Sequence, residues 1–114
     1  MHELSIIANL YEIMEEKANE QGAKKITFVK LQVGILSGVV PDFLETAFDI
    51  FKKDTMASDA ALEIENVPLK IQCLKCEAEK TSDELIFICT ECGSNQIKTL
   101  DGTELILEKM DISL

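Results

Sequence analysis

Four cysteines in two closely spaced pairs constrain the fold of this chain more than any other feature. They follow the pattern Cys73-x2-Cys76, then twelve residues, then Cys89-x2-Cys92. Two residues between thiolates let a tight turn direct both sulfurs at one metal ion, and two such turns complete a tetrahedron. The pattern therefore predicts a zinc site in a small knuckle, where the ion stabilises ~20 residues that are too few to bury a core of their own.

Two other interpretations of the paired cysteines stay open. A regulatory thiol switch also uses paired thiols, and an iron site of the rubredoxin type has similar spacing. Glu77 follows the first pair, where such an iron site usually has glycine, and this counts against iron. Four protein ligands leave no open position on the ion, so we expect a structural site and not a hydrolytic one.

The composition is that of a small globular protein. The chain has 114 residues, of which 46% are apolar, which suffices for one compact domain or a small domain with a metal-stapled module. No apolar run approaches the ~20 residues of a membrane span. The N-terminus has no basic segment followed by an apolar stretch, so we expect no secretion signal and a cytoplasmic location. Thiols are reduced there, which favours a metal site over disulfides.

The chain is strongly acidic, with a formal net charge of -10. Such a surface repels nucleic acid phosphates and anionic membranes. We therefore expect neither nucleic acid nor membrane binding, and we expect partners that are cations or basic proteins.

Periodicity predicts two helices and an early strand. Residues 3–21 carry an apolar stripe with helical spacing, formed by Leu4, Ile7, Tyr11, Met14 and Ala18. Residues 26–35 alternate as a strand. Pro41 opens a second helix that should stop near Asp54. Its apolar residues Leu44, Ala47, Phe48 and Phe51 are expected in the core, and a cofactor-binding aromatic patch is the weaker alternative.

The second half of the chain predicts further strands. Residues 61–72 alternate, with a slip at 66–68 that indicates a bulge or an edge position because Pro68 cannot donate a hydrogen bond. Residues 85–88 predict a short strand between the cysteine pairs. Residues 95–100 and 103–110 flank Asp101-Gly102, a sequence typical of two-residue hairpins. The last strand is expected to return to the first sheet.

Together these elements predict an α+β fold with two helices packed on a small, mainly antiparallel sheet and an inserted zinc-ribbon module. We expect residues 1–68 and 98–114 to form the first domain, and residues 69–97 to form the zinc-binding domain.

A second metal site is predicted at the N-terminus. His2 is the single histidine of the chain, and by itself it would be unremarkable. The free amine of Met1 and the amide nitrogen of His2 close a five-membered chelate ring, and the same amide and the imidazole close a six-membered ring. The amide nitrogen of Glu3 lies next along the chain and could supply a further ligand to the same ion. Square-planar nitrogen sites suit Ni(II) and Cu(II), not zinc.

The sequence resembles the HypA family of nickel metallochaperones. The resemblance extends over nearly the whole chain and is carried by Met1-His2-Glu3-Leu4-Ser5, Lys25-Ile26-Thr27, Val33-Gly34, Pro41, Phe48 and the four cysteines. It implies nickel at Met1, His2 and Glu3, and zinc at Cys73, Cys76, Cys89 and Cys92. It also implies work with the GTPase HypB and nickel delivery to the large subunit of [NiFe]-hydrogenase, and in some members to urease.

Other possibilities remain at this point. The fourth nickel ligand is open between a backbone amide, water and a carboxylate such as Asp42. We expect a nickel carrier without catalytic turnover, because one terminal histidine and four committed thiolates form no catalytic triad. The alternatives are a zinc-ribbon adaptor of transcription or translation, and a rubredoxin-like electron carrier.

Overall fold

The computed structural model describes residues 3–114, which form two helices and six strands. The elements are α1 (Glu3–Glu20), β1 (Lys25–Gly34), α2 (Pro41–Phe51), β2 (Ala61–Val67), β3 (Leu69–Cys73), β4 (Glu79–Ser82), β5 (Ile97–Asp101) and β6 (Leu105–Ser113). The described part is elongated, 55 × 27 × 17 Å along its principal axes, and neither of its helices is long and apolar enough to cross a membrane. The predicted α+β class is confirmed.

α1 buries the predicted stripe from its second turn onward. Ile7, Tyr11, Met14 and Ala18 are buried, as their spacing of three and four residues requires. Leu4 was expected in the same stripe but is 47% exposed, so the buried face begins one turn later.

α2 buries the predicted face and ends earlier than expected. Leu44, Ala47 and Phe48 are buried, and the ring of Phe51 packs on Tyr11 of α1 with centroids 5.4 Å apart. These residues belong to the core, as predicted. The helix stops at Phe51 and not near Asp54, because the chain turns there and Asp54 has a φ of 63°.

The first sheet has the strand order β2-β1-β6. β1 pairs in parallel with β2, with Leu31 opposite Ile64, and antiparallel with β6, with Leu31 opposite Leu107. α2 connects the two parallel strands, as a parallel pair requires a long crossover. The inward side chains of β1, Ile26, Val29, Leu31 and Val33, join the buried helix faces in one core. The return of the last strand to this sheet is confirmed.

The second sheet is antiparallel and has the order β4-β3-β5. Cys73 ends its strand β3, and the other three cysteines lie in the loops that connect its strands. It buries Leu69, Ile71, Cys73 and Cys89 apart from the main core. The slip predicted at 66–68 is where the chain leaves β2, an edge strand of the first sheet, and enters β3. Pro68, which has no N–H, lies between the two sheets.

Two local predictions are wrong. Residues 85–88 form no strand, and the third strand of the second sheet is instead β4, directly after the first cysteine pair. Asp101-Gly102 does not close a hairpin, because β5 pairs with β3 and β6 pairs with β1. The dipeptide carries the chain from one sheet to the other, and residues 98–101, expected with the first domain, lie in the second sheet.

The two sheets meet where Gly34 and Gly102 come together. The N–H of Leu36 donates to the carbonyl oxygen of Gly102, 2.6 Å away, and the N–H of Gly34 donates to that of Glu104 at 2.7 Å. A Cβ on Gly34 would collide with the backbone carbonyl of Gly102. Glycine at position 34 therefore allows the backbones to approach so closely.

Candidate metal centre

Two similar turns hold the four cysteines. Cys73 ends β3, and its Sγ accepts a hydrogen bond from the N–H of Cys76 at 3.4 Å. Cys89 repeats this arrangement with the N–H of Cys92, also at 3.4 Å. Gly93 follows the second pair with a φ of 76°, and its N–H donates to the carbonyl oxygen of Cys89 at 2.8 Å. This conformation favours glycine.

Glu77 adopts the left-handed conformation at the equivalent place after the first pair, with a φ of 67°. Its N–H donates to the carbonyl oxygen of Cys73 at 3.0 Å. Both turns therefore have the same shape, although only the second carries glycine. The residue that counted against an iron site thus forms the same turn as Gly93.

The turns bring all four sulfurs together. The Sγ atoms of Cys73, Cys76, Cys89 and Cys92 lie within 4.8 Å of one another, and this is the one such group of potential metal ligands in residues 3–114. Cys73 and Cys92 are separated by 3.7 Å, and Cys76 and Cys89 by 3.5 Å. These distances exceed the ~2.05 Å of a disulfide. They match the roughly 3.8 Å edge of a tetrahedron with Zn–S bonds of ~2.3 Å.

Backbone donors favour the thiolate form of one cysteine in each pair. The N–H of Cys76, with that of Lys75, lowers the pKa of Cys73 to about 6. Hydrogen bonds to the charged form stabilise it, which is the physical cause of this shift. The N–H of Cys92 lowers the pKa of Cys89 in the same way. Metal binding requires deprotonated thiols, so these donors prepare the cluster for an ion.

The pKa of Cys76 shifts in the opposite direction. The N–H of Ala78 lowers its pKa, but the neighbouring Sγ of Cys89, burial of the thiol and the other two sulfurs together outweigh this donor and raise the pKa to about 12. Four sulfurs this close cannot all carry a negative charge without a cation between them. The residues present therefore fit a bound metal ion.

The predicted nickel residues lie at the edge of what the structure describes. Met1 and His2 are outside the described residues. Glu3 is the half-buried first residue of α1. Asp42 lies in the first turn of α2, where a carboxylate interacts favourably with the helix dipole. The backbone carbonyl oxygen of Asp42 accepts a hydrogen bond from Thr46 Oγ1 at 3.1 Å.

The sequence pattern missed a cleft between the two sheets. It measures about 310 Å³ and is lined by residues from three separate segments, among them Val39, Asn66 and Asp83. No local pattern indicates such a cleft, because it exists only once β1, the end of β2 and the loop after β4 are assembled. The backbone donors to the sulfurs were also missed, although the x2 spacing itself is their signal.

A family model decides what kind of protein carries this cluster. The model described as "Hydrogenase/urease nickel incorporation, metallochaperone, hypA" matches residues 1–112. The chain belongs to the HypA family. The resemblance found in the sequence is thus confirmed. The family is one of metallochaperones for nickel incorporation.

HypA relatives match the chain along its whole length. Hydrogenase maturation factor HypA of Aquifex aeolicus (strain VF5) is 39% identical over 114 residues, which covers 100% of this chain and 99% of that protein. Hydrogenase maturation factor HypA of Moorella thermoacetica is 40% identical over 108 residues, covering 95% and 96%.

The HypA fold is shared as well. The solution structure of the Ni metallochaperone HypA from Helicobacter pylori has a TM-score of 0.70 with this chain at 26% identity, covering 99% of this chain and 98% of that one. Another solution structure of a HypA protein has a TM-score of 0.71, also at 26% identity. The α+β architecture described above is therefore that of HypA structures.

Proposed function

We propose that this protein is a nickel carrier that binds Ni(II) at its N-terminus and delivers it during the maturation of [NiFe]-hydrogenase. The observation that carries the proposal is the match of residues 1–112 to a nickel-incorporation metallochaperone family. This match begins at Met1 and so includes the residues proposed to hold the nickel.

The proposed nickel ligands are the amine of Met1 and the amide and imidazole nitrogens of His2, and the fourth position is open between the backbone amide of Glu3, water and a carboxylate such as that of Asp42. Nitrogen donors in a plane suit Ni(II). The amide must lose its proton, so the affinity for nickel rises with pH. A site made of one chain end also leaves one side of the ion accessible to an incoming ligand, which suits transfer to another protein.

The four cysteines hold zinc, which has a structural role. Four thiolates saturate a tetrahedral ion, so no position is left for water or substrate. We propose no enzymatic activity for this centre. We also propose two units, a nickel-binding unit around the first sheet and a zinc-binding unit around the second. The pairing of β5 with β3 supports a boundary at Gly102 in place of residue 97.

The proposed partners are a GTPase of the HypB type and the hydrogenase large subunit, with urease maturation proteins as further partners. The family description names both hydrogenase and urease. The charge of -10 supports protein partners over nucleic acid or anionic membranes. The four free thiols suit the reducing cytoplasm, where we place this exchange.

Nickel titration of untagged protein beginning at Met1, beside its His2→Ala variant, tests the proposal. We expect the wild-type protein to bind about one nickel per chain, with the absorption band of a low-spin, square-planar ion. The variant should lose this nickel and keep its zinc, measured by metal analysis. Equal nickel binding by the two proteins would refute the N-terminal site.

A further inference from the structure

An apolar segment between the two cysteine pairs is exposed. Residues 85–88 carry the side chains Leu, Ile, Phe and Ile. Leu85 is 55% exposed, Phe87 45% and Ile88 47%. Adjacent apolar side chains exposed in this way on a small protein mark an interaction site more often than scattered single ones do. We call these four residues the 85–88 segment.

The backbone of the 85–88 segment is also largely available for hydrogen bonding to another chain. Among residues 3–114, its one backbone hydrogen bond runs from the N–H of Ile86 to the carbonyl oxygen of Glu84, at 3.0 Å. The composition nevertheless favours a strand, since β-branched and aromatic residues fit a pleated surface. The segment thus has the side chains of a strand but pairs with no strand in the described part of the chain.

Both ends of the 85–88 segment are fixed. The N–H of Glu84 donates to Ser82 Oγ at 2.9 Å, and the N–H of Cys89 donates to the carbonyl oxygen of Ser94 at 2.8 Å. A short segment held at both ends loses little conformational entropy when it pairs with another chain. In an extended conformation, Leu85 and Phe87 would face the same side.

We propose that the 85–88 segment docks a partner protein by pairing with an extended apolar segment that is flanked by lysine or arginine. Carboxylates surround the segment: Asp83 and Glu84 precede it, and Glu91 follows it. Residues 69–101 contain six carboxylates and four lysines, and the whole chain has a charge of -10. A second copy of this chain would bring like charges together, whereas a basic partner is complementary. Added strands obtain affinity from the main chain and specificity from alternate side chains.

This docking does not depend on nickel, so it is tested on zinc-loaded protein without nickel. The probe is a fluorescent peptide of alternating valine and threonine with lysines at both ends, and its anisotropy reports binding. We expect Phe87→Ser to bind the peptide about tenfold more weakly than the wild type, an effect equal to about 1.4 kcal/mol. Leu85→Ser provides a second variant on the same side. Ile106→Ser is the matched control, because Ile106 on β6 is also 45% exposed.

Amide hydrogen exchange identifies the mode of binding, and zinc content together with slow exchange in β1 confirms that each variant is folded. The peptide should slow exchange at residues 85–88 in the wild type. The proposal is overturned if the wild type does not bind, if all variants bind alike, or if glutamates in place of the lysines leave binding unchanged. Self-association that depends on Phe87, measured by sedimentation, would also overturn it, since the occupant would then be a second copy.

Discussion

Neighbouring side chains of α1 meet opposite environments at positions 13 and 14. Met14 is fully buried in the main core, and Ile13 is 46% exposed. Met14→Ala should lower the free energy of unfolding by about 2–5 kcal/mol, because it removes buried apolar atoms and leaves a cavity. Ile13→Ala should change it by less than about 0.5 kcal/mol. Urea denaturation of both variants measures the difference, and equal losses would contradict the buried face of α1.

The thiol of Cys73 predicts how zinc binding responds to acid. Its pKa is lowered from 9.0 to about 6 in the folded protein. For a lowered pKa, the stabilisation is complete above the unfolded value and is lost as the pH falls through the folded value. Zinc binding likewise requires deprotonated thiols, so we expect the affinity for zinc to weaken as the pH falls.

A chromogenic chelator follows the release of zinc. His2→Ala is the control, because the imidazole of His2 is not among the four proposed zinc ligands, and the variant should give the same zinc curve. A curve shifted by the variant would show that the release does not belong to the thiols alone.

At the scale of elements, the glycine at the end of β1 determines how closely the two sheets approach. Gly34→Ala should destabilise the protein by about 3 kcal/mol or more, because the new Cβ has no room beside the carbonyl of Gly102. Gly38→Ala is the comparison. Position 38 has a φ of 81° with open space around it, so only backbone strain of about 1 kcal/mol is expected. Thermal unfolding of both variants tests this, and a mild effect at position 34 would contradict the close approach.

The same scale shows what the sequence could predict. α1, β1 and α2 were predictable because each buries one face against the same core, and the period of the apolar residues records that face. The strands that β5 and β6 pair with were not predictable, because the sequence Asp101-Gly102 is equally compatible with a hairpin and with a crossing from one sheet to the other. The strand expected at 85–88 failed for a related reason, since a strand needs a partner that local sequence does not reveal. The cysteine spacing predicted the cluster because the turns that close it are local.

At the scale of the whole molecule, the two sheets differ in what stabilises them. The first sheet shares a large apolar core with both helices, whereas the second buries only Leu69, Ile71, Cys73 and Cys89. Removing zinc with a chelator should therefore unfold the second sheet and leave the first folded. Hydrogen exchange should accelerate in residues 69–101 and stay slow in β1. Simultaneous loss of protection in both sheets would show instead that the chain unfolds as one unit.

The two ends of the second sheet lie side by side. A Cβ on Gly102 would be 3.3 Å from the carbonyl oxygen of Pro68 and 3.2 Å from the Cα of Leu69. A segment that leaves and re-enters a fold at one point is tolerated as an insertion, because the flanking chain need not move. In terms of gene architecture, the stretch from residue 69 to residue 101 is a self-contained, exchangeable unit. Evolution or an engineer can exchange it for another module with adjacent ends, while the helices and the first sheet stay in place.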